Sequence, residues 1–438
     1  MRRVIAVSVF AAVLAIAVFP ALAFTQDTPP AQKSALIEDE IILARGPGEH
    51  MEVRHIILKG TNEEIGYALG NIAQKDYGVI LNKYAEAAYA KARLEYMRKN
   101  NPILLERMKG VARSYGVSLE DTLLDTSSLP AFFKPPQCSG ILFPAAYSAN
   151  GHTFYSASRE YYLATLSEVM DKKPRPGEKK IFTETAVIEI YPDKGYSSLF
   201  VMAGDLTWGV DVVNSAGLSV SLYQDDTFGI PKVFRDSSRV TGLSMMQAIM
   251  LIANTCATLD EAKQVLLNNK ILMQSVPLPI HMQVADKSGK AFIFAISPDD
   301  FSGKFVYNDG KPQPITNHGV YAYSDISKMP VDEKDPYDTF NRYRRLANFI
   351  AAHKGKYSIA DGWKAMDLVM CGQAEGSEGG YHKIPMRTLY QIVIDNEERA
   401  IQVKFYLKDK SVDPVTGYAE LIFSKTFEFK LRSTLDRK

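Results

Sequence analysis

The sequence has little of what marks several common classes of protein. Its 51 lysines and arginines nearly balance its 50 aspartates and glutamates, which leaves a net charge of +1. No basic run is present, so neither nucleic acid nor an acidic membrane surface is indicated as a partner. The seven histidines are scattered without the spacing of a metal site. Nothing in the sequence implies a metal or another cofactor.

Cysteine is also scarce, with only Cys138, Cys256 and Cys371. In an exported protein an odd number of cysteines leaves at least one thiol unpaired unless a bond forms between molecules. Cys256 lies between two predicted helices and is interpreted as a core residue, since free cysteine is among the most buried residue types. Cys371 is followed by glycine in a glycine-rich stretch. Cys138 is the cysteine with the most informative surroundings.

A single long apolar run is present, at residues 4–19. It follows Arg2 and Arg3 and precedes Ala21-Leu22-Ala23, a pattern typical of a secretory signal peptide over residues 1–23. The run is short for a membrane span, which needs about 20 apolar residues. The sequence therefore predicts a secreted or periplasmic protein with no stable membrane insertion after signal removal; an uncleaved anchor is the alternative.

The rest of the chain has the composition of a globular protein, with 46% hydrophobic and 23% charged residues. Residues 24–47 are polar and predict a loose leader. A short strand at 53–58 and helical spacing over 63–99 and 103–115 follow. The sequence thus predicts a helical N-terminal segment over residues 24–137 and a catalytic core over 138–438.

The core is richer in strand signals. Apolar and β-branched runs predict strands at residues 185–191, 198–203, 217–223, 280–285, 291–296, 389–394 and 401–407. Helices are predicted at 243–254, 258–267 and 339–353. Strands separated by helical pairs indicate an α+β fold of stacked antiparallel sheets covered by helices.

The stretch around Cys138 predicts a hairpin. Asn150-Gly151 between two apolar runs is a strong hairpin signal, and the return arm would bring Arg159 back beside Cys138. A cysteine at the start of a processed chain carries a thiol with a pKa of about 8.5 and an amine with a pKa of about 7.7 to 8.0, hence a nucleophile and a base on one residue. Arg159 could hold the thiolate or a substrate carboxylate. The alternative is that Cys138 is a small core residue.

Several short motifs occur in a characteristic order along the chain. They are Gly60-Thr61, Glu64-Ile65-Gly66-Tyr67, Leu69-Gly70, Gly110-Val111-Ala112, Cys138-Ser139, Asn214-Ser215-Ala216-Gly217-Leu218, Asp286 with Gly289, Thr316-Asn317-His318, Arg342 ahead of Arg345-Leu346, and Thr388-Leu389. With these motifs in this order, the chain resembles the N-terminal-nucleophile (Ntn) hydrolases of the peptidase C45 group. These are the acyl-coenzyme A:6-aminopenicillanic acid acyltransferase-like proteins, which are related to choloylglycine hydrolases.

The resemblance implies a four-layer αββα sandwich made as a precursor that cuts itself between Gln137 and Cys138. The helical segment would stay attached as a small subunit. The implied activity is cleavage of a linear amide bond in a small-molecule acyl amide, or of a thioester, through an acyl-enzyme. Transfer of the acyl group to an amine is one alternative, and a non-cleaving binding relative is another.

The resemblance also implies roles for individual residues. Cys138 is the expected nucleophile, Asn317 the expected oxyanion donor, and Arg159 and Arg342 match the two arginines of the family. Gln224 stands where choloylglycine hydrolases have a second oxyanion asparagine, and it is expected to contact substrate.

Two features depart from the family pattern or compete with it. The family's Arg-Asn-x-Asp is replaced by Arg159-Glu160-Tyr161-Tyr162, so the aspartate that orients the terminal amine is missing. Glu160 or a tyrosine hydroxyl is left to take its place, and Tyr162 is predicted to line the acyl pocket. His318 is considered as an alternative general base, although the scattered histidines argue against a papain-like pair.

Overall fold

The structure is a computed structural model. It describes residues 35–129, 137–169, 172–178, 180–202, 205–225, 241–272, 280–297, 299–331, 338–372 and 385–433. The predicted signal peptide, residues 1–23, lies outside these described residues.

Most of the strands belong to two large sheets. In chain order the strands are β1 Leu36–Leu43, β2 Glu52–Gly60, β3 Asn82–Lys83, β4 Leu124–Asp125, β5 Gln137–Phe143, β6 Phe154–Tyr162, β7 Glu184–Pro192, β8 Ser198–Met202, β9 Gly209–Asn214, β10 Ser219–Gln224, β11 Leu243–Ser244, β12 Ile271–Leu272, β13 Ile280–Ala285, β14 Ala291–Ile296, β15 Gly303–Tyr307, β16 Gln313–Ile315, β17 Met386–Asp395, β18 Ala400–Val412, β19 Ala419–Phe423 and β20 Phe427–Lys430.

Helices connect and cover these strands. They are α1 Asn62–Asp76, α2 Ala87–Asn100, α3 Pro102–Ser114, α4 Leu166–Val169, α5 Met245–Thr255, α6 Leu259–Asn268, α7 Thr339–Ala352 and α8 Ile359–Asp367. None of the described helices is long and apolar enough to cross a membrane.

The nine-stranded sheet has the order β1-β2-β7-β8-β9-β10-β13-β14-β15. The seven-stranded sheet has the order β16-β5-β6-β17-β18-β19, with β20 also paired to β18. Neighbouring strands are antiparallel in both sheets except for β2 and β7, which are parallel. Parallel neighbours need a long crossover; here it includes α1 to α3, the hairpin of β5 and β6, and α4.

Three apolar clusters separate four layers. One lies between the nine-stranded sheet and α1, α5 and α6; the second lies between the two sheets; the third lies between the seven-stranded sheet and α7 and α8. Successive residues of β7 show the division, because Val187 packs in the cluster between the sheets and Ile188 packs under the helices. The predicted α+β fold, an αββα sandwich, is confirmed by this layer order.

Helices α1 and α3 pack unusually closely, and glycines permit it. A Cβ atom on Gly66 would lie 2.0 Å from the Arg107 carbonyl oxygen, and one on Gly110 would lie 2.0 Å from the Glu63 carbonyl oxygen. Any side chain at either position would force the two helix backbones apart. The glycines in the Gly66 and Gly110 motifs are therefore required by packing.

The N-terminal segment differs from the sequence prediction. The continuous helical pattern over 63–99 forms two helices, α1 and α2, with the short strand β3 between them. Part of the predicted leader, residues 36–43, forms β1 at the edge of the nine-stranded sheet. The segment before Cys138 therefore contributes β1 and β2 to the same sheet as strands from the core, while its predicted role as a separate subunit stays a prediction.

Candidate active site

The predicted hairpin around Cys138 is formed by β5 and β6. Cys138 pairs directly with Arg159, and Gln137 pairs with Glu160. The connection, residues 144–153, includes Gly151 with a φ of +75°, the left-handed conformation that suits glycine. The prediction that the return arm brings Arg159 beside Cys138 is confirmed.

Cys138 is a free, buried thiol in the cluster between the two sheets. Its side chain is only 1% exposed. Burial raises the pKa of this thiol to about 12, and the neighbouring Arg159 guanidinium opposes the rise. Cys256 and Cys371 are also buried, and none of the three cysteines forms a disulfide.

Arg159 is fully buried, and a carboxylate on another strand neutralises it. Its Nε donates to Asp211 Oδ2 at 2.9 Å, and its Nη2 donates to Asp211 Oδ1. Its Nη1 donates to the Leu222 carbonyl at 2.8 Å, and its guanidinium lies 4.4 Å from the Tyr223 ring centroid. Because Asp211 accepts from Nε and Nη2 and the Leu222 carbonyl accepts from Nη1, the structure gives no support to binding of a substrate carboxylate by Arg159.

Asp211 was missed by the sequence analysis. It lies on β9, a strand the analysis did not predict, and all six residues of that strand are buried. Its carboxylate also accepts a hydrogen bond from Ser221 Oγ at 2.5 Å. A lone acidic residue in the apolar stretch Gly209–Asn214 was the available signal, because a buried carboxylate needs a partner.

Asn317 contacts the backbone of the predicted nucleophile. Its Oδ1 accepts from the Cys138 nitrogen at 2.7 Å and from Arg342 Nη2 at 3.0 Å. Its Nδ2 donates to the Gln224 carbonyl at 3.0 Å. In the intact chain Asn317 therefore holds the Cys138 nitrogen, the contact for which the sequence analysis considered Glu160 or a tyrosine.

Arg342 reaches the same point from helix α7. Its Nη1 donates to the Cys138 carbonyl at 2.7 Å and to Ser139 Oγ at 2.8 Å. Helix α7 buries Thr339, Arg342 and Leu346, which are spaced along one helical face. An arginine on an amphipathic helix usually lies on the solvated face, but Arg342 is fully buried against the seven-stranded sheet.

The first residue of α7 fixes the loop that carries Asn317. Thr339 Oγ1 accepts from the Asn317 nitrogen at 2.8 Å, and Thr316 Oγ1 donates to the Thr339 carbonyl at 3.0 Å. His318 Nδ1 lies 3.0 Å from Thr339 Oγ1, and its ring stacks on Phe340. Burial lowers the pKa of His318 to about 3, which makes it a poor general base at neutral pH.

Glu160 lies opposite Gln137, the residue before the predicted cleavage point. It is fully buried, and its Oε1 accepts from Thr388 Oγ1 at 2.9 Å and from Ser158 Oγ. Its Oε2 and both side-chain polar atoms of Gln137 have no hydrogen-bond partner among the described residues. Burial raises the pKa of Glu160. Side chains alternate along β6, so Glu160 points away from the face that carries Arg159.

The structure brings together five of the six predicted site residues. Cys138, Arg159, Asn317 and Arg342 are linked by the strand pairing and hydrogen bonds above, and Gln224 joins them through its backbone carbonyl. Tyr162 is buried at the end of β6, opposite Met386 of β17. The substrate-binding roles of Gln224 and Tyr162 stay predictions.

Comparison of the sequence with known proteins gives no match to a family profile and none to a curated protein.

Comparison of the structure gives several distant neighbours. A variant of conjugated bile acid hydrolase from Clostridium perfringens aligns with a TM-score of 0.45 and 12% identity over 68% of this chain and 98% of that chain. Penicillin V acylase from Agrobacterium tumefaciens aligns with a TM-score of 0.41 and 15% identity over 61% and 83% of the two chains. The Caenorhabditis elegans ortholog of N-acylethanolamine-hydrolyzing acid amidase aligns with a TM-score of 0.36 and 10% identity over 67% and 100%.

Proposed function

We propose that this protein is a cysteine amidase of the Ntn type. It would cut its own chain between Gln137 and Cys138 and then hydrolyse a carbon–nitrogen amide bond of a small acyl substrate. One observation carries the proposal: Asn317 Oδ1 accepts from the Cys138 nitrogen at 2.7 Å while Arg342 binds both that oxygen and the Cys138 carbonyl. These contacts hold in place the nitrogen that must serve as the base.

The first step is an acyl shift within the chain. Cys138 Sγ attacks the Gln137 carbonyl carbon, the Gln137–Cys138 carbon–nitrogen bond breaks, and the thiol proton passes to the departing Cys138 nitrogen. A thioester then joins the Gln137 carbonyl to Cys138 Sγ. Water hydrolyses this thioester, which leaves a carboxylate on Gln137 and a free thiol and amine on Cys138.

Turnover of substrate uses the same two atoms. The thiol attacks the acyl carbonyl of the amide, its proton passes to the Cys138 amine, and the amine returns it to the leaving nitrogen. Water then hydrolyses the acyl-thioester to a carboxylic acid. An asparagine amide has two N–H donors; the one that Gln224 does not take would contact the oxyanion.

The state of the thiol in the intact chain agrees with a precursor. A buried thiol with a pKa raised to about 12 is protonated at neutral pH and is a poor nucleophile toward outside substrates. Cleavage would place an amine with a pKa of about 7.7 to 8.0 on the same residue and supply the missing base. Activity on substrate would thus begin only after the chain is cut.

Two further proposals go with this function. The protein would be exported through the signal peptide at residues 1–23. Water would then be the acyl acceptor, because acyl-coenzyme A is scarce outside the cytoplasm.

The decisive experiment is the intact mass of the purified mature protein under denaturing conditions. We expect two fragments that meet between Gln137 and Cys138, and a single uncut chain for Cys138→Ala. Cys256→Ala is the matched control, because it removes another buried free thiol and should still give two fragments. A single uncut wild-type chain that still turns over substrate would contradict the proposal.

Activity then separates the alternatives. The wild type should release amine from a panel of N-acyl p-nitroanilides, and Cys138→Ala should release none. Product analysis with an added primary amine distinguishes hydrolysis, which gives the free acid, from acyl transfer, which gives a new amide. A single chain that binds such amides without cleaving them would support the non-cleaving alternative.

A further inference from the structure

A second polar site lies among the helices that cover the nine-stranded sheet. It is a cavity of about 70 Å³. Its wall includes Arg107 of α3 and Asn254 of α5, and these helices pack in the helical layer, whereas Cys138 lies between the two sheets. The cavity is therefore separate from the candidate active site. Of the residues that the structure describes, four charged ones line it: Arg93, Arg107, Asp125 and Asp205.

Two of these charges neutralise each other. Arg93 Nη1 lies 3.2 Å from Asp125 Oδ2, and both side chains are about nine-tenths buried. Asp125 Oδ1 also accepts from Ser127 Oγ at 2.6 Å and from Tyr84 at 3.0 Å. This pair therefore needs no charge from a ligand.

Arg107 is a buried cation with neutral partners. It is 5% exposed, its Nε donates to Asn62 Oδ1 at 2.9 Å, and its Nη2 donates to Asn254 Oδ1 at 3.3 Å. No described carboxylate forms an ion pair with it. Burial alone lowers its pKa to about 10, with no opposing contribution from an acidic residue. A buried cation of this kind favours an anionic group beside it.

Asp205 is a buried anion, opposite in charge to Arg107. It is 1% exposed, and its Oδ1 accepts from the Thr207 nitrogen at 2.7 Å, the Thr207 hydroxyl at 2.5 Å and the Leu129 nitrogen at 3.3 Å. Its Oδ2 has no hydrogen-bond partner within normal geometry among the described residues, although the Trp208 side chain, which also lines the cavity, favours the charged carboxylate. Nor does any described cation form an ion pair with Asp205. A buried carboxylate oxygen that lacks a partner favours a donor, best a charged one.

We propose that this cavity binds a small zwitterion, with its carboxylate at Arg107 and its ammonium group at Asp205. Arg107 and Asp205 have no counter-charge among the described residues, have opposite signs and line the same space, so one ligand with both charges satisfies both. About 10 to 15 Å³ of such space holds one water molecule, so 70 Å³ has room for roughly five heavy atoms. An amino acid with little or no side chain has this size and charge.

The test uses thermal unfolding of the purified full protein with glycine as the probe, and with acetate and methylammonium as probes that carry one charge each. We expect glycine to raise the Tm of the wild type at pH 7.5, and acetate and methylammonium to raise it less at equal concentration. Glycine at high concentration stabilises many proteins by exclusion from their surfaces. The decisive quantity is therefore the difference between the wild type and each variant in the rise of Tm that glycine causes.

Asp205→Asn keeps the Oδ1 acceptor and removes the charge. It should weaken glycine binding by about tenfold or more, the usual effect of losing a charge-assisted hydrogen bond. Asp286→Asn is the matched control. Asp286 is also a buried aspartate whose Oδ1 accepts from the nitrogen and hydroxyl two residues ahead, but it does not line the cavity. It should bind glycine as the wild type does.

The proposal fails if Asp205→Asn responds to glycine like the wild type, or if Asp286→Asn loses the response equally. If Asp205→Asn does not fold, the pH dependence of the wild-type response to glycine tests the proposal instead. The pKa of Asp205 is raised to about 6 by burial, so the response to glycine should be several-fold weaker at pH 5 than at pH 7.5. An equal response at the two pH values overturns the proposal.

Discussion

Arg159 and Arg107 are both buried arginines, but their surroundings differ. Arg159, beside Cys138, has two hydrogen bonds to the carboxylate of Asp211, and its pKa is raised well above the ordinary value although burial opposes the rise. Arg107, in the helical layer, donates to the amide oxygens of Asn62 and Asn254 and has no carboxylate partner in the described part of the chain, and burial lowers its pKa.

The comparison indicates two different uses of a buried charge. The Arg159–Asp211 pair is complete within the protein, so it can fix the position of β6 opposite β9 and tune the thiol of Cys138 without a ligand. The Arg107 site is incomplete within the described residues, because its hydrogen bonds do not offset its charge. A completed pair is suited to positioning, whereas an incomplete one is suited to binding.

The largest effect is expected for Asp211→Asn. This substitution leaves the Arg159 charge buried without a counter-charge and turns an amide N–H toward the guanidinium. We expect a loss of about 3 to 5 kcal/mol in the free energy of unfolding. Urea denaturation measures it. A loss below about 1 kcal/mol would mean that Arg159 does not depend on Asp211 and would break the comparison.

A smaller effect, dependent on pH, is expected for Asp205→Asn. Burial raises the pKa of Asp205 to about 6 from an ordinary value of 3.8, so the folded state binds a proton more tightly than the unfolded state. This residue therefore costs stability as the pH rises from about 4 to 6, and the asparagine variant does not have that cost.

The stability of Asp205→Asn relative to the wild type should thus increase by about 2 to 3 kcal/mol between pH 3.5 and pH 7. Urea denaturation of both proteins at both pH values gives this difference, in which the other titrating groups cancel. If this difference does not change with pH, a partner already stabilises the charged carboxylate of Asp205.

Arg107→Met should have a moderate effect. It removes a cation that none of the described carboxylates pairs with, but it leaves the Asn62 and Asn254 amide oxygens without their donor. We expect a loss of about 1 to 2 kcal/mol in the free energy of unfolding, less than for Asp211→Asn. Equal losses for the two variants, measured in the same urea titration, would show that Arg107 has a counter-charge after all.

The smallest effect is expected for Tyr390→Phe, which sharpens the Arg159 side of the comparison. The Tyr390 hydroxyl donates to Asp211 Oδ2 across 3.4 Å, a long contact beside the two from Arg159. Its removal should cost at most about 1 kcal/mol, because Asp211 keeps its counter-charge and Ser221. A much larger loss in thermal unfolding would mean that the hydroxyl, not the ion pair, holds the carboxylate.

Much of the local structure could be predicted from the sequence. The hairpin that pairs Cys138 with Arg159 follows from two apolar arms and a turn, and the predicted helix 339–353 is observed as α7. The capping box of Thr258 and Glu261 at the start of α6 is also present. Each depends on residues close together in the chain, where periodicity and capping chemistry act.

Other parts could not be predicted because they depend on distant pairings. β1 has a mixed pattern of burial, and its place at the sheet edge depends on β2. The helical pattern over 63–99 continues through the point where the structure breaks it, because β3 there pairs with β4, at residues 124 and 125. Local propensity gives way to such tertiary contacts.

The sequence by itself determined the strands and helices that have a clear period, the nearness of Arg159 to Cys138, and the chemical character of a cysteine that could become an N-terminus. Only the tertiary structure decided that Asp211 neutralises Arg159, that Arg342 is buried against the Cys138 carbonyl, and that Arg107 and Asp205 line one cavity. The physical reason is the distance along the chain over which each kind of interaction acts. Periodicity, turns and caps act over a few residues, whereas the energy of a buried charge is set by whichever distant strand or helix folds against it.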